Sequence, residues 1–127
     1  MTAGASRPRL LVAVAVGGAV GALARWGLTE AFPADPDAFP WSTFAINVVG
    51  SFALALLLTL EAVRRRPVLT AGLGSGVLGG FTTLSAYSEQ TRALLDHDQT
   101  GTAALYLVGT LAACLVAVAA AGRMARR

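Results

Sequence analysis

The chain has 127 residues, 55% of them hydrophobic and 13% charged, against about 25% charged in an average soluble domain, which makes it a membrane protein by composition. Its net charge is +3, carried by ten arginines and no lysine on short loops and tails. With no aromatic-interleaved basic patch, that charge sets topology and does not grip nucleic acid. The single cysteine, Cys114, excludes an intrachain disulfide and any multi-cysteine metal site.

The first apolar segment covers residues 10–28 and holds Gly17 and Gly21 at a small-xxx-small spacing that permits close helix contact. No small-residue cleavage site follows it and three more segments do, so it reads as a retained span, not a signal peptide. Arg25 lies within snorkelling reach of the interface. A loop with Pro33, Pro36, Pro40, Glu30, Asp35 and Asp37 leads to the second segment, 41–63, with Trp41 where an interfacial aromatic belongs. Arg64-Arg65-Arg66-Pro67 stops it. The third segment runs 68–95, the polar loop 96–101 follows, and the fourth segment runs 102–122 before the terminal arginines. Each is near the roughly 20 residues a helix needs to cross a bilayer. The expected fold is an all-α integral membrane protein, one domain of four transmembrane helices.

Four spans put both termini on one side of the membrane. That side receives Arg7, Arg9, Arg64, Arg65, Arg66, Arg123, Arg126 and Arg127, and the other only Arg25 and Arg92. A bias of eight to two places both termini in the cytoplasm of a plasma (cell inner) membrane protein.

The third segment contains Gly79-Gly80-Phe81-Thr82-Thr83-Leu84-Ser85. Glycine costs about 1 kcal/mol relative to alanine in a helix interior, and Ser/Thr hydroxyls compete for backbone hydrogen bonds. Two readings stay open for this heptapeptide. It is a helix break near the bilayer midplane, with freed carbonyls and N–H groups available to ions, or a Gly-rich packing surface with its hydroxyls bonded back to their own helix. Gly72, Gly76 and Gly80 read as a packing face. In the second segment Thr43 and Asn47 share one helix face at i, i+4, and a buried asparagine in lipid needs protein, water or substrate beside it. In the fourth, Tyr106, Thr110 and Cys114 form one stripe at i, i+4, i+8. Thr82, Thr83, Ser85, Tyr87, Ser88, Glu89 and Gln90 make the later half of the third segment polar. Interhelical hydrogen bonding explains any one such residue; three aligned polar sets in so small a chain point to a polar pathway. Mid-span carboxylates are absent, which disfavours a proton-coupled multidrug transporter. His97 is alone between two aspartates, and nothing in the sequence supports an enzyme.

These residues resemble a known family. Gly17-Gly18-Ala19-Val20-Gly21-Ala22 with Arg25, Thr43-Phe44-Ala45-Ile46-Asn47-Val48-Val49-Gly50-Ser51-Phe52, and the 79–85 heptapeptide are similar, in order, to the helix motifs of the Fluc-type fluoride channels (the CrcB family). The resemblance implies a passive fluoride channel that relieves fluoride toxicity, built as an antiparallel, dual-topology dimer with the third helix broken mid-membrane. It implies a structural Na+ at the dimer centre, held by the backbone carbonyls of Gly79 and Thr82, as befits a hard cation and oxygen ligands. It implies a fluoride pathway along Asn47, Thr43, Thr83, Ser85, Tyr87, Tyr106, Thr110 and Cys114. Asn47 would be the amide donor, and hydroxyls and aromatic edges would replace the anion's water.

The sequence also departs from the family pattern. Leu84 and Tyr87 stand where two phenylalanines usually line the path, and leucine has no electropositive edge. Thr110 and Cys114 replace serines. Glu89 is one position early for the family's glutamate, a place Gln90 could fill. Members that pair with themselves insert both ways and need balanced arginines; eight against two favours a heterodimer with a related, oppositely oriented four-helix chain over a homodimer. The alternative role is a non-conducting structural or regulatory subunit that completes a partner's pore.

Overall fold

The computed structural model describes residues 6–126, which form helices α1 (Arg7–Ala31), α2 (Trp41–Leu57), α3 (Glu61–Arg64) and α4 (Pro67–Leu69), a π-helix π1 (Thr70–Leu78), and α5 (Gly79–Phe81), α6 (Leu84–Asp96) and α7 (Thr100–Met124). Among the described residues, Arg7–Ala31, Pro67–Asp96 and Thr100–Met124 are long and apolar enough to cross a membrane, while α2 is a shorter apolar helix of 17 residues. At 1.5 Å per residue α2 is about 25 Å long, the low end of what a bilayer core requires.

Proline opens α1 and the α4–π1–α5 run, where its missing N–H costs nothing. Regular helix in the second apolar segment ends at Leu57, short of Val63. There the Thr59 hydroxyl donates to the Leu56 carbonyl at 2.6 Å, and Leu60 is extended (ψ 115°). The Thr59 N–H donates to the same Leu56 carbonyl and the Leu60 N–H to that of Leu57, so the last turn tightens to i→i+3 bonds that the hydroxyl reinforces. The chain restarts as α3, and the Thr70 hydroxyl reaches back to the Val63 carbonyl at 2.8 Å, tying the two restarts together.

The closest packing in the molecule is α1 on the π1–α5 run. A β-carbon on Gly17 would stand 2.1 Å from the Gly72 carbonyl oxygen, on Gly21 2.0 Å from that of Val77, and on Gly80 2.4 Å from that of Gly18. The backbones touch where only hydrogen fits, which is how small residues hold membrane helices together. Gly76 belongs to the same contact, 3.0 Å from the Gly17 Cα by the same measure. The glycines at 72, 76 and 80 are thus a packing face. Gly17→Ala and Gly21→Ala each force backbone apart and are expected to cost about 1–3 kcal/mol or more, read as a lower melting temperature of the solubilised protein. Gly27→Ala, with nothing within 4 Å, should hold it or raise it slightly, since alanine is the better helix former.

Opposite this contact, α7 packs against α2 and α6. Leu94, Ala103 and Tyr106 form the buried cluster there, with Phe39, Phe44 and Tyr87 packed on it. The Phe39 ring meets Tyr106 and Phe44 edge-on at 5.2 and 5.5 Å, a favoured aromatic geometry. Asp37 and His97 join the two polar loops at this end at 2.8 Å.

Candidate functional site

Gly79 and Gly80 are helical; the backbone leaves the helix one residue after Phe81. Thr82 (φ −76°, ψ 155°) and Thr83 (φ −147°, ψ 119°) are extended, and α6 begins at Leu84. Gly80 therefore serves the contact with α1, Gly79 is helical and exposed, and the threonines carry the change of conformation. Each threonine is held at both ends. The Thr82 hydroxyl and N–H both donate to the Leu78 carbonyl, at 2.9 and 3.0 Å, closing the helix before it. The Thr83 hydroxyl accepts from the Ala86 N–H at 3.1 Å, capping the helix after it. Ser85 Oγ lies 3.2 Å from Thr83 Oγ1 and joins this cap.

Asn47 completes the arrangement from α2. Its Oδ1 accepts from the Thr83 N–H at 2.8 Å and its Nδ2 donates to the Thr83 carbonyl at 3.0 Å, both buried. The side-chain amide pairs with Thr83 as a neighbouring strand would, supplying bonds that the helix does not. Arg25 performs a related task from α1: its Nε donates to the Gly80 carbonyl at 3.2 Å. In a continuous helix that carbonyl would accept from the Leu84 N–H. Arg25 is half-buried, with its Nε turned to protein.

Beside Thr82–Thr83 opens a cleft of about 230 Å³, lined on one side by Asn47, Ser51, Thr83 and Leu84 and on the other by Tyr87, Thr110 and Cys114. Thr110 is 3% exposed and its hydroxyl has no hydrogen-bond partner. A buried, unsatisfied hydroxyl costs roughly 1–3 kcal/mol, so it marks a place where something polar is to be met. Thr43, fully buried and likewise unpartnered, lies beside the Tyr106 phenol. Tyr106 donates to Gln90 Oε1 at 2.8 Å, and the Tyr87 hydroxyl to the Leu107 carbonyl.

Of the candidate pathway residues, Asn47, Thr83, Tyr87, Thr110 and Cys114 meet at this cleft, and Thr43 and Tyr106 stand together at the neighbouring aromatic cluster. Ser85 serves the Thr83 cap. Ser51, four residues after Asn47 on the same face of α2, lines the cleft; that spacing was the signal for it. Among the described residues no group of three His, Cys, Asp or Glu could hold a metal ion.

Residues 12–122 match the family described as CrcB-like protein, Camphor Resistance (CrcB). The chain belongs to that family. It is similar to a fluoride-specific ion channel, FluC 2, of Thermobifida fusca, 45% identical over 117 residues, 88% of this chain and 84% of that one. FluC 2 of Nocardia farcinica is 41% identical over 113 residues, 87% of this chain and 81% of the relative. FluC 1 of Mycolicibacterium paratuberculosis is 40% identical over 125 residues, 94% and 92% of the two chains. CrcB membership and the apolar helices make this chain an all-helical, multi-pass membrane protein.

Proposed function

We propose that this chain is a subunit of a fluoride-specific ion channel that lets fluoride leave the cell down its gradient, and that it is not an enzyme. The observation that carries this reading is the cleft beside Thr82–Thr83, where a carboxamide, hydroxyls and a tyrosine ring converge between largely apolar helices. Donors without a fixed cation suit an anion that must shed water and still move on. The relatives named as fluoride-specific channels cover most of the chain, which gives the anion its identity.

In this reading the third segment is a transmembrane helix broken at Thr82–Thr83, and the subunit works as half of an antiparallel dimer. Ser75, Gly79, Ser85 and Ser88 are exposed on the single chain, and polar backbone in a bilayer must be covered by protein or line a cavity. A second four-helix subunit supplies that cover. The residues at the break fit a sodium ion. Because the Thr83 N–H is taken by Asn47, the Gly79 carbonyl loses its helical donor, and the Thr82 carbonyl sits on extended backbone. Gly79 and Thr82 would hold the ion through these oxygens, and it would supply a charge that gathers carbonyls from both subunits.

Eight of ten arginines on one side favour both termini in the cytoplasm and a partner of opposite bias in the plasma membrane. The numbered names of the relatives accord with organisms that hold more than one such chain. The test is fluoride efflux from liposomes containing this chain alone, its oppositely charged relative alone, and both. Flux is expected only from the pair; robust selective flux from this chain alone overturns the heterodimer. A second reading, a non-conducting subunit, is favoured by Leu84, which lines the cleft and is 76% exposed. Unchanged flux in an Asn47→Ala complex would support it.

A further inference from the structure

Asn47 is the residue a fluoride pathway would use as its amide donor, yet its amide is already occupied. Both of its hetero atoms are engaged with one residue 36 positions away, Oδ1 with the Thr83 N–H and Nδ2 with the Thr83 carbonyl. One N–H of the carboxamide remains. We propose that Asn47 is a positioning residue, a latch that holds the third segment open at Thr82–Thr83 and thereby frees the Gly79 carbonyl.

Hydrogen-bond accounting supports the assignment. In a continuous α-helix the Thr83 N–H would return to the Gly79 carbonyl. Inside a bilayer that bond would re-form by default, since neither group has water as an alternative. Asn47 offers the Thr83 N–H and carbonyl a pair of bonds in the extended conformation, so the Thr83 groups stay paired and the Gly79 carbonyl is the group left without its helical donor. Thr82 and Thr83 hydroxyls close the helix ends on either side but offer the Thr83 N–H no acceptor. Only Asn47 does. Gly50, one turn along α2, makes room for the arrangement: a β-carbon there would lie 2.3 Å from the Thr82 methyl. The α2 motif thus seats the threonines with one residue and latches them with the other. This inference rests on the sodium reading for its consequence at Gly79, and on this chain's own hydrogen bonds for the latch itself.

The experiment uses the assembled channel with this chain labelled by 15N-threonine, the Thr83 amide resonance being assigned by its loss in Thr83→Ser. Asn47→Leu removes both bonds at similar volume; Asn47→Asp keeps the acceptor for the Thr83 N–H and removes the donor. The Thr83 resonance is expected to shift in the leucine variant and, through a charge-assisted bond, to move downfield in the aspartate variant. An unmoved resonance in the leucine variant overturns the latch. Should that variant fail to fold, an unmoved resonance in the aspartate variant does the same. The second readout is the melting-temperature rise produced by sodium relative to a bulky organic cation. In Asn47→Leu the sodium concentration giving half the rise is expected to increase about tenfold or more, and in Asn47→Asp to stay near wild type or below it. A wild-type sodium response in the leucine variant overturns the link to Gly79. A wild-type channel without any sodium response removes the sodium reading, and the Thr83 resonance still decides the latch.

Discussion

On the heterodimer reading, rebalancing the arginines is expected to turn this chain into a self-sufficient fluoride channel. Arg64, Arg65 and Arg66 would become alanine, and Ala34, Pro36 and Ala38 would become arginine, which changes eight against two into five against five. All six positions are exposed. The one ion pair lost, Arg65 with Glu61, is a surface pair of the kind worth little. Orientation is decided by arginines on short loops, so a balanced chain inserts both ways, and two copies can then meet antiparallel. A C-terminal tag should be found on both sides of the membrane, and fluoride efflux from liposomes holding the single chain should rise about tenfold or more. If the unaltered chain already shows its tag on both sides, charge bias is not what separates this chain from a homodimer.

Much of this architecture was legible in the sequence because it depends on local quantities. Apolar length, the Pro67 stop and the glycine spacing at 17, 21, 72, 76 and 80 each act within a helix or between two helices, and the packing of α1 on π1 follows from them. The candidate site was legible as a set of residue types. Asn47, Thr83, Tyr87, Thr110 and Cys114 stand out as polar residues in apolar surroundings, and they line one cleft. What the sequence hid was the division of labour within each motif. Gly79-Gly80 looks like the point of helix failure because glycine is costly in helices, but Gly80 is required by its close approach to α1 and the chain stays helical through both. The departure at Thr82–Thr83 depends on two partners far along the chain, Asn47 and Arg25, which no local propensity reports. The early end of α2 at Leu57 comes with a tightened last turn, the Thr59 N–H and hydroxyl both donating to the Leu56 carbonyl and the Leu60 N–H to that of Leu57, a change that hydropathy does not register.

Thiol modification of Cys114 is expected to close the cleft to fluoride. Cys114 is a half-buried, free cysteine on α7, one turn beyond Thr110 and facing the same space as Asn47 and Tyr87. A small methanethiosulfonate reagent forms a mixed disulfide there, with its sulfinate leaving, and the added chain occupies much of a cleft of about 230 Å³. The unpartnered Thr110 hydroxyl beside it would then be shielded from any passing ion. Flux should fall about tenfold or more on modification and recover with reductant, the added group occupying the space beside the polar side chains that an ion would pass. Cys114→Ser keeps a polar atom at the site and should conduct without responding to the reagent, and Thr110→Val should lower flux while leaving the thiol reactive. Full modification of Cys114, verified by mass, with unaltered flux would place the ion's route elsewhere. The aligned polar residues of α7 would then be interhelical contacts, and Thr110 would be a buried hydroxyl with no polar partner to meet.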